Sequence, residues 1–359
     1  MGADKQITVM LVDDSSVIRA AISRILEKNP HIKIVGSVSD GQMGVTMAAS
    51  RQPDVIILDV EMPVMDGLTA LPEILKKSPK TKVVMCSSLT AKGAETTMKA
   101  MKLGAVECLV KPSSAQDVGP SSPFETLLIN LVLSLGGKEI PSAAPSSAVI
   151  AKKEAGKFSL SSKPPAYKGK PQILAVGSST GGPQALFQAL KDIGPLNIPI
   201  VITQHMPATF TTILAKHISE QTGQTAIEGA DGMTVEAGKI YIAPGGKHML
   251  FEKRGTNLAV KLDNGPAENF CKPAVDPMLR SLIDIYGERI LCMILTGMGQ
   301  DGLLGARALV EKNGRVVAQD EETSVVWGMP GAVAMDGLCS AVLPLNKIGA
   351  WVKTECNKA

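Results

Sequence analysis

No apolar run in the 359-residue chain approaches the ~18 residues that a membrane-spanning helix needs, and its opening, MGADKQITVM, has no charged-then-apolar leader. A soluble, cytoplasmic protein with no direct membrane insertion is therefore expected. The six cysteines (Cys86, Cys108, Cys271, Cys292, Cys339, Cys356) form no C-x-x-C pair, which speaks against a zinc site or a dithiol redox motif. Several lie in apolar runs, as buried free thiols of a reducing compartment do. A large charge of one sign is also missing. The net charge is +3, with 14 basic and 12 acidic residues in 1–112, 7 and 4 in 113–170, and 16 and 18 in 171–359. No segment has the basic excess of a nucleic-acid binder, so that class is set aside. Histidine is scarce: His31, His205, His217 and His248 are the whole supply.

What is present suits a globular protein. Hydrophobic residues make up 45% and charged residues 20% of a length that favours two domains, each able to bury a core. The first ~110 residues alternate short apolar runs (Ile7–Val12, Ile32–Val38, Val55–Leu58, Val83–Cys86, Glu107–Val110) with helical stretches such as Ser16–Glu27. Five strands alternating with helices imply an α/β, doubly wound parallel sheet, with ligands at the carboxyl ends of its strands. Phe124–Leu135 reads as a closing helix, which puts a first domain at 1–136. Residues 137–170, rich in Ser, Pro, Ala and Lys, read as a flexible linker. From 171 to 359 the alternation resumes as a second doubly wound α/β domain, with strands at 172–177, 198–204, 290–295 and 314–318. Helices are expected from about Pro183, at 209–221, at 275–286 and at 302–312, with shorter strands between 240 and 262.

In the first domain, chemistry collects at strand ends. Asp13 and Asp14 end the first strand, Asp59 the third and Ser87 the fourth, and Lys111 follows the fifth. A parallel sheet brings these ends to one edge, where three carboxylates call for a cation, and a hard oxygen set suits Mg²⁺. A carboxylate beside Mg²⁺ and a lysine is arranged to attack a phosphoryl donor and become an acyl phosphate.

In the second domain, ILAVGSSTGGPQAL places serines and glycines after an apolar strand. A phosphate loop fails on spelling, because Pro183-Gln184 stands where Lys and Ser/Thr are needed. The dinucleotide fingerprint fails because residue 179 is Ser rather than Gly. G-x-S-x-G does fit, through Gly177, Ser179 and Gly181, and on a strand–turn–helix it lifts a serine into the open. Alone it is equally the spelling of a plain turn. A serine nucleophile needs a base. His217 has the helical spacing of a packed residue, and His248, after APGGK, is open to either reading. His205 ends IPIVITQHMP, on the strand of the unit after the serine's, so it would stand beside Ser179. A carboxylate should fix the imidazole, and LTGMGQDG offers Asp301, which reads equally as an N-cap of the helix at 302–312, with Asp320 as competitor.

In their order, LVDDSS, ILDVEMPVMDG, MCSS and LVKP make residues 5–135 resemble a response-regulator receiver domain of the flavodoxin-like fold. The resemblance implies that Asp59 is the phosphoacceptor, Asp13, Asp14, Asp59 and the Glu61 backbone carbonyl hold Mg²⁺, and Ser87 and Lys111 form the switch. It departs at Cys108, where receivers carry Tyr or Phe. GSSTGG, ITQHMP, IYIAPGGKHM and LTGMGQDG make Pro171 to about Leu345 similar to the catalytic domain of the chemotaxis protein-glutamate methylesterases. That resemblance implies Ser179 as nucleophile, His205 as base and acid, and Asp301 as orienter. The Met298 N–H would be an oxyanion donor and Thr180 would shape the site, with no metal in this domain. It further implies hydrolysis of glutamyl γ-methyl esters on chemoreceptors, deamidation of receptor glutamines, and a histidine kinase as phosphodonor. The expected unit is a monomer whose unphosphorylated receiver covers the active site. Two rival readings share this architecture: a phosphorylation-regulated esterase for another ester, and a response regulator whose second domain only binds a partner.

Overall fold

The computed structural model describes residues 5–88, 90–112, 119, 122–138 and 169–357. Most of the segment read as a linker lies outside the described residues. The chain divides into two compact units, Met1–Ser146 and Ser147–Ala359.

The first unit alternates strands β1 (Ile7–Val12), β2 (Ile32–Val38), β3 (Val55–Asp59), β4 (Lys82–Ser87) and β5 (Glu107–Val110) with helices. These helices are α1 (Ser16–Glu27), α2 (Gly41–Arg51), α3 (Gly67–Lys77), α4 (Ala91–Lys102) and α5 (Pro123–Leu135). The strands form a parallel sheet in the order β2-β1-β3-β4-β5, the doubly wound arrangement expected. Each helix starts on a side chain that accepts a free backbone N–H of its first turn: Ser15, Asp40, Asp66, Thr90 and Ser122. The central strands β1, β3 and β4 are buried between the helix layers, as the two-sided cover of a parallel sheet requires, while the edge strands β2 and β5 are only partly covered. One glycine sets the edge at the end of β3: a Cβ on Gly67 would lie 2.0 Å from Asp59 O, so only glycine lets α3 begin there.

In the second unit the order begins β6 (Ile173–Ser178), α6 (Gly182–Ile193), β7 (Ile200–Gln204), α7 (Ala208–Thr222), β8 (Thr225–Glu228) and β9 (Lys239–Ile242). A hairpin, β10 (His248–Arg254) and β11 (Asn257–Asp263), precedes α8 (Val275–Tyr286), β12 (Ile290–Ile294), α9 (Leu303–Glu311) and β13 (Arg315–Gln319). Then come α10 (Met329–Met335), β14 (Ala341–Leu343) and α11 (Leu345–Asn357), elements beyond the last strand that periodicity indicated. Seven strands form one parallel sheet in the order β14-β13-β12-β6-β7-β9-β8, and β10 and β11 pair antiparallel outside it. Connections from β6 run one way to β7, while β12 lies on its other side. The strand order therefore reverses at β6, the place where open α/β sheets hold their ligands. Among the described residues no helix is long and apolar enough to cross a membrane.

Candidate active site

Ser179 follows β6 directly and opens the turn into α6. The turn is feasible because glycines stand where side chains would not fit. Gly181 has φ +75°, and a Cβ there would lie 2.6 Å from Val325 Cγ2. A Cβ on Gly182 would lie 2.0 Å from Gln204 Oε1. The Ser179 N–H donates to Thr296 O at 3.0 Å, and the Gly182 N–H donates back to Ser179 O at 2.7 Å, so its backbone is held from both sides. The two adjacent serines differ sharply. Ser178 is wholly buried and its hydroxyl donates to Gln204 Oε1 at 2.7 Å. Ser179 keeps 9% exposure, and among the described residues its hydroxyl makes no hydrogen bond.

His205 comes straight after β7, which pairs with β6 in parallel, and its N–H donates to Ser178 O at 3.1 Å. The neighbouring Gln204 amide, fully buried, donates to Ser179 O at 2.9 Å and to His205 O at 3.2 Å. It ties the serine and histidine turns together, a role that its place inside ITQHMP did not advertise. Both ring nitrogens of His205 have partners: Nε2 lies 2.8 Å from Asp301 Oδ2, and Nδ1 lies 3.3 Å from Cys271 Sγ.

Asp301 sits past β12 and is 1% exposed. Besides His205 it accepts the N–H groups of Val275 at 2.6 Å, Asp276 at 3.1 Å and Gly302 at 3.0 Å, and Asn269 Nδ2 at 3.0 Å. The helix it caps is thus α8 rather than α9, whose N-terminus carries Gly302 without a side-chain cap. Burial alone would lower the proton affinity of His205, but the bond and charge of Asp301, with Cys271 alongside, carry it up to about 10. For Asp301, burial is outweighed by the bond from His205 and the backbone N–H groups of α8, which hold it below the usual carboxylate range.

A second carboxylate, Asp276, stands behind the first. The Asn269 amide nitrogen donates to Asp276 Oδ2 and Asp301 Oδ1, both at 3.0 Å, and so bridges the pair. Burial and the charge of Asp301 push Asp276 up to about 6. Asn269 and Cys271 reach the site from one tight turn. Glu268 and Cys271 exchange backbone hydrogen bonds of 3.1 and 2.8 Å, and the central residues Asn269 (φ 52°) and Phe270 (φ 63°) are both left-handed, as in a type I′ turn. Asn269 points to the carboxylates and Cys271 to the histidine, while Phe270 stands 92% exposed between them.

Thr180 is buried and its carbonyl accepts the Thr296 hydroxyl at 2.9 Å. Met298 is half-buried in the turn after β12. That turn passes against the serine, since a Cβ on the adjacent Gly297 would lie 2.8 Å from Ser179 Cβ. The remaining candidates are accounted for otherwise. His217 is buried on α7, and His248 lies 2.9 Å from Pro266 O while its Nδ1 accepts the Ala274 N–H at 3.1 Å. Asp320 accepts the Thr323 N–H at 3.0 Å in a local turn.

In the first unit one oxygen from each of Asp13, Asp14 and Asp59 lies within 4.8 Å of the others. Lys111 Nζ is 2.9 Å from Asp13 Oδ2 and 2.7 Å from Asp59 Oδ2. Among the described residues neither oxygen has a hydrogen-bond donor beyond that ammonium, so both are available to a hard cation. Burial, with the charge of Asp13 behind it, outweighs Lys111 and pushes Asp59 up to about 6. The Glu61 N–H donates to Asp59 Oδ1 at 3.4 Å, and Ser87 is buried at the end of β4. Cys108 places its thiol 3.5 Å from Thr97 Oγ1 on α4, so a small packed thiol fills the position where receivers carry an aromatic ring.

Comparison with known proteins agrees with this division. Residues 9–119 match the response regulator receiver domain model, and residues 174–352 match the CheB methylesterase model. The chain is 49% identical to the protein-glutamate methylesterase/protein-glutamine glutaminase 1 of Rhodospirillum rubrum, over 98% of this chain and 96% of the relative. A protein of the same description from Paramagnetospirillum magneticum is 48% identical over 98% and 96% of the two chains. The crystal structure of the Thermotoga maritima CheB methylesterase catalytic domain is 38% identical, covers 51% of this chain and 98% of that one, and aligns with a TM-score of 0.49.

Proposed function

The chain belongs to the protein-glutamate methylesterase/protein-glutamine glutaminase family, a chemotaxis response regulator with a receiver domain ahead of a CheB methylesterase domain, and on that premise we propose that Ser179, His205 and Asp301 are its catalytic triad. The observation that carries this reading is the 2.8 Å bond between His205 and Asp301, formed at the strand end that adjoins Ser179.

Ser179 attacks the carbonyl carbon of a receptor glutamyl γ-methyl ester. Its proton passes to His205 Nδ1, the nitrogen that Asp301 does not hold, and Asp301 stabilises the imidazolium that results. The carbonyl oxygen becomes an oxyanion beside the turn after β12, where the Met298 N–H is the proposed donor and Thr180 shapes the wall. His205 returns the proton to departing methoxide. Water then attacks the acyl-enzyme by the same route in reverse, leaving methanol and a receptor glutamate. A glutamine side chain follows the same course with ammonia as leaving group.

Control comes from the receiver unit through Asp59, phosphorylated by a histidine kinase. Asp13, Asp14, Asp59 and the Glu61 carbonyl would hold Mg²⁺, which supplies charge neutralisation for an incoming phosphoryl group. Lys111 pairs with the phosphorylated aspartate, and Ser87 takes up its oxygen. Phosphorylation then favours the active arrangement over the inactive one. The test is methanol release from methylated receptor membranes, with and without a phosphodonor. Release that depends on Ser179 and rises with phosphodonor supports the reading, and release that ignores both overturns it.

A further inference from the structure

Asp301, His205 and Cys271 stand in a row. The carboxylate lies 2.8 Å from Nε2 of the ring and the thiol sulfur 3.3 Å from its Nδ1. Carboxylate, imidazole and thiol in this order are the parts of a cysteine nucleophile with its base and orienter. The thiolate is the form that attacks oxidants and electrophiles, and His205 Nδ1, 3.3 Å from the sulfur, is placed to take the thiol proton. The Asp301 carboxylate at Nε2 stabilises the imidazolium that this transfer forms.

The other five cysteines have different surroundings. Cys86, Cys292 and Cys339 are buried, and Cys108 and Cys356 are half-buried. Burial pushes the thiols of Cys86 and Cys292 upward, those of Cys108 and Cys339 up to about 12, and that of Cys356 up to about 11. Cys271 is half-buried and in contact with the histidine. Its backbone is fixed in the tight turn by the 2.8 Å bond to Glu268 O, so the sulfur is presented rather than free to swing away.

We propose that Cys271 is a modification site at which a hydroperoxide oxidises the thiol to a sulfenic acid, and that the modified sulfur arrests ester hydrolysis by occupying His205 Nδ1. The arrest rests on His205 serving Ser179 as base; the modification does not. In the step, the thiolate sulfur attacks one peroxide oxygen, the S–O bond forms and the O–O bond breaks. Hydroxide leaves and is protonated to water. Sulfur loses two electrons and the peroxide gains them. The sulfenic hydroxyl is a stronger donor than the thiol, so it holds Nδ1 and leaves that nitrogen without a lone pair for the serine proton. A dithiol reductant returns Cys271 to the thiol.

The experiment treats the full-length protein with hydrogen peroxide, removes the excess with catalase, and divides the sample. One portion is trapped with dimedone and mapped by mass spectrometry, and the other is assayed for methanol release from methylated receptor membranes. The expected adduct forms on Cys271 ahead of the other cysteines, with methanol release falling by about tenfold or more and recovering with dithiothreitol. In Cys271→Ser the treated rate equals that variant's own untreated rate. In His205→Gln trapping at Cys271 slows by about tenfold, a readout that needs no esterase activity. An adduct that does not favour Cys271, or trapping indifferent to His205, overturns the modification site. Full modification with an unchanged rate, or equal inactivation of Cys271→Ser, overturns the arrest. If Ser179→Ala still releases methanol while Cys271 is trapped as expected, the triad reading has failed and the modification site has not.

Discussion

Asp301 accepts the Val275 N–H at 2.6 Å, so the carboxylate that orients His205 is also the cap of a helix to which it does not belong. The orientation of the His205 ring and the seating of α8 are one structural feature.

Replacing Asp301 by Asn keeps the shape and removes the charge. Methanol release should fall by about 10³–10⁴-fold. The pH profile separates cause from damage. A general base must be neutral, and Asp301 helps to lift His205 to about 10. The wild-type rate should therefore climb from neutral pH toward that value. In Asp301→Asn the rising limb should move to lower pH, and an unmoved limb would show that another group governs it. Asp301→Ala removes the cap as well, at an added cost of about 1–3 kcal/mol in urea denaturation.

Asn269 donates to two carboxylates that would otherwise face each other unbridged. Asn269→Ala should lower methanol release by about tenfold through a loosened Asp301. It should lower stability by about 1–3 kcal/mol, because buried acceptors lose their donor. Asn269→Asp, which adds a third negative charge, should be worse on both measures.

The adjacent serines should behave oppositely. Ser179→Ala should reduce methanol release by about 10³-fold or more while phosphorylation of Asp59 proceeds normally. Ser178→Ala removes the donor to buried Gln204 Oε1, so its loss should appear as about 1–3 kcal/mol of stability rather than in the chemical step. Paired kinetic and denaturation measurements on the two variants would check this.

Gly181 combines φ +75° with a Cβ position 2.6 Å from Val325 Cγ2. Gly181→Ala should cost about 1–2 kcal/mol from the left-handed backbone alone, with the clash in addition. Adding Val325→Ala should recover the clash and leave the backbone cost. Thermal unfolding of the single and double variants measures the division.

In the receiver, Asp59→Asn should abolish stimulation of methanol release by a phosphodonor without removing the basal rate. Chelation of Mg²⁺ with EDTA should block phosphorylation of the wild type, because the acidic group at Asp13, Asp14 and Asp59 then lacks a neutralising cation. Removal of residues 1–136 should raise the basal rate, and an unchanged rate would argue against inhibition by the receiver.

Much of the site lay open in the sequence because parallel α/β sheets place chemistry at strand ends. Ser179, His205 and the loop to Asp301 each follow an apolar run, and Asp13, Asp59, Ser87 and Lys111 do the same in the first unit. Such runs are legible from periodicity. The turn that delivers Asn269 and Cys271 is not, since ENFC has no period and its contacts reach His205 and Asp301 from 66 and 32 residues away. Gln204 was hidden for another reason: a polar residue at the end of a strand reads as an edge until its burial is known.

The sequence by itself determined the two α/β units, the order of their principal strands and which residues stand at the strand ends, because hydrophobic periodicity and glycine placement are local properties. Tertiary structure alone decided that Asp301 caps α8 rather than α9, that Ser178 is tied to Gln204 while Ser179 is not, and that a cysteine thiol lies on the second nitrogen of the histidine. Those outcomes depend on which hydrogen-bonding groups meet when distant segments pack. No local pattern encodes that meeting, because either partner alone could be satisfied by water.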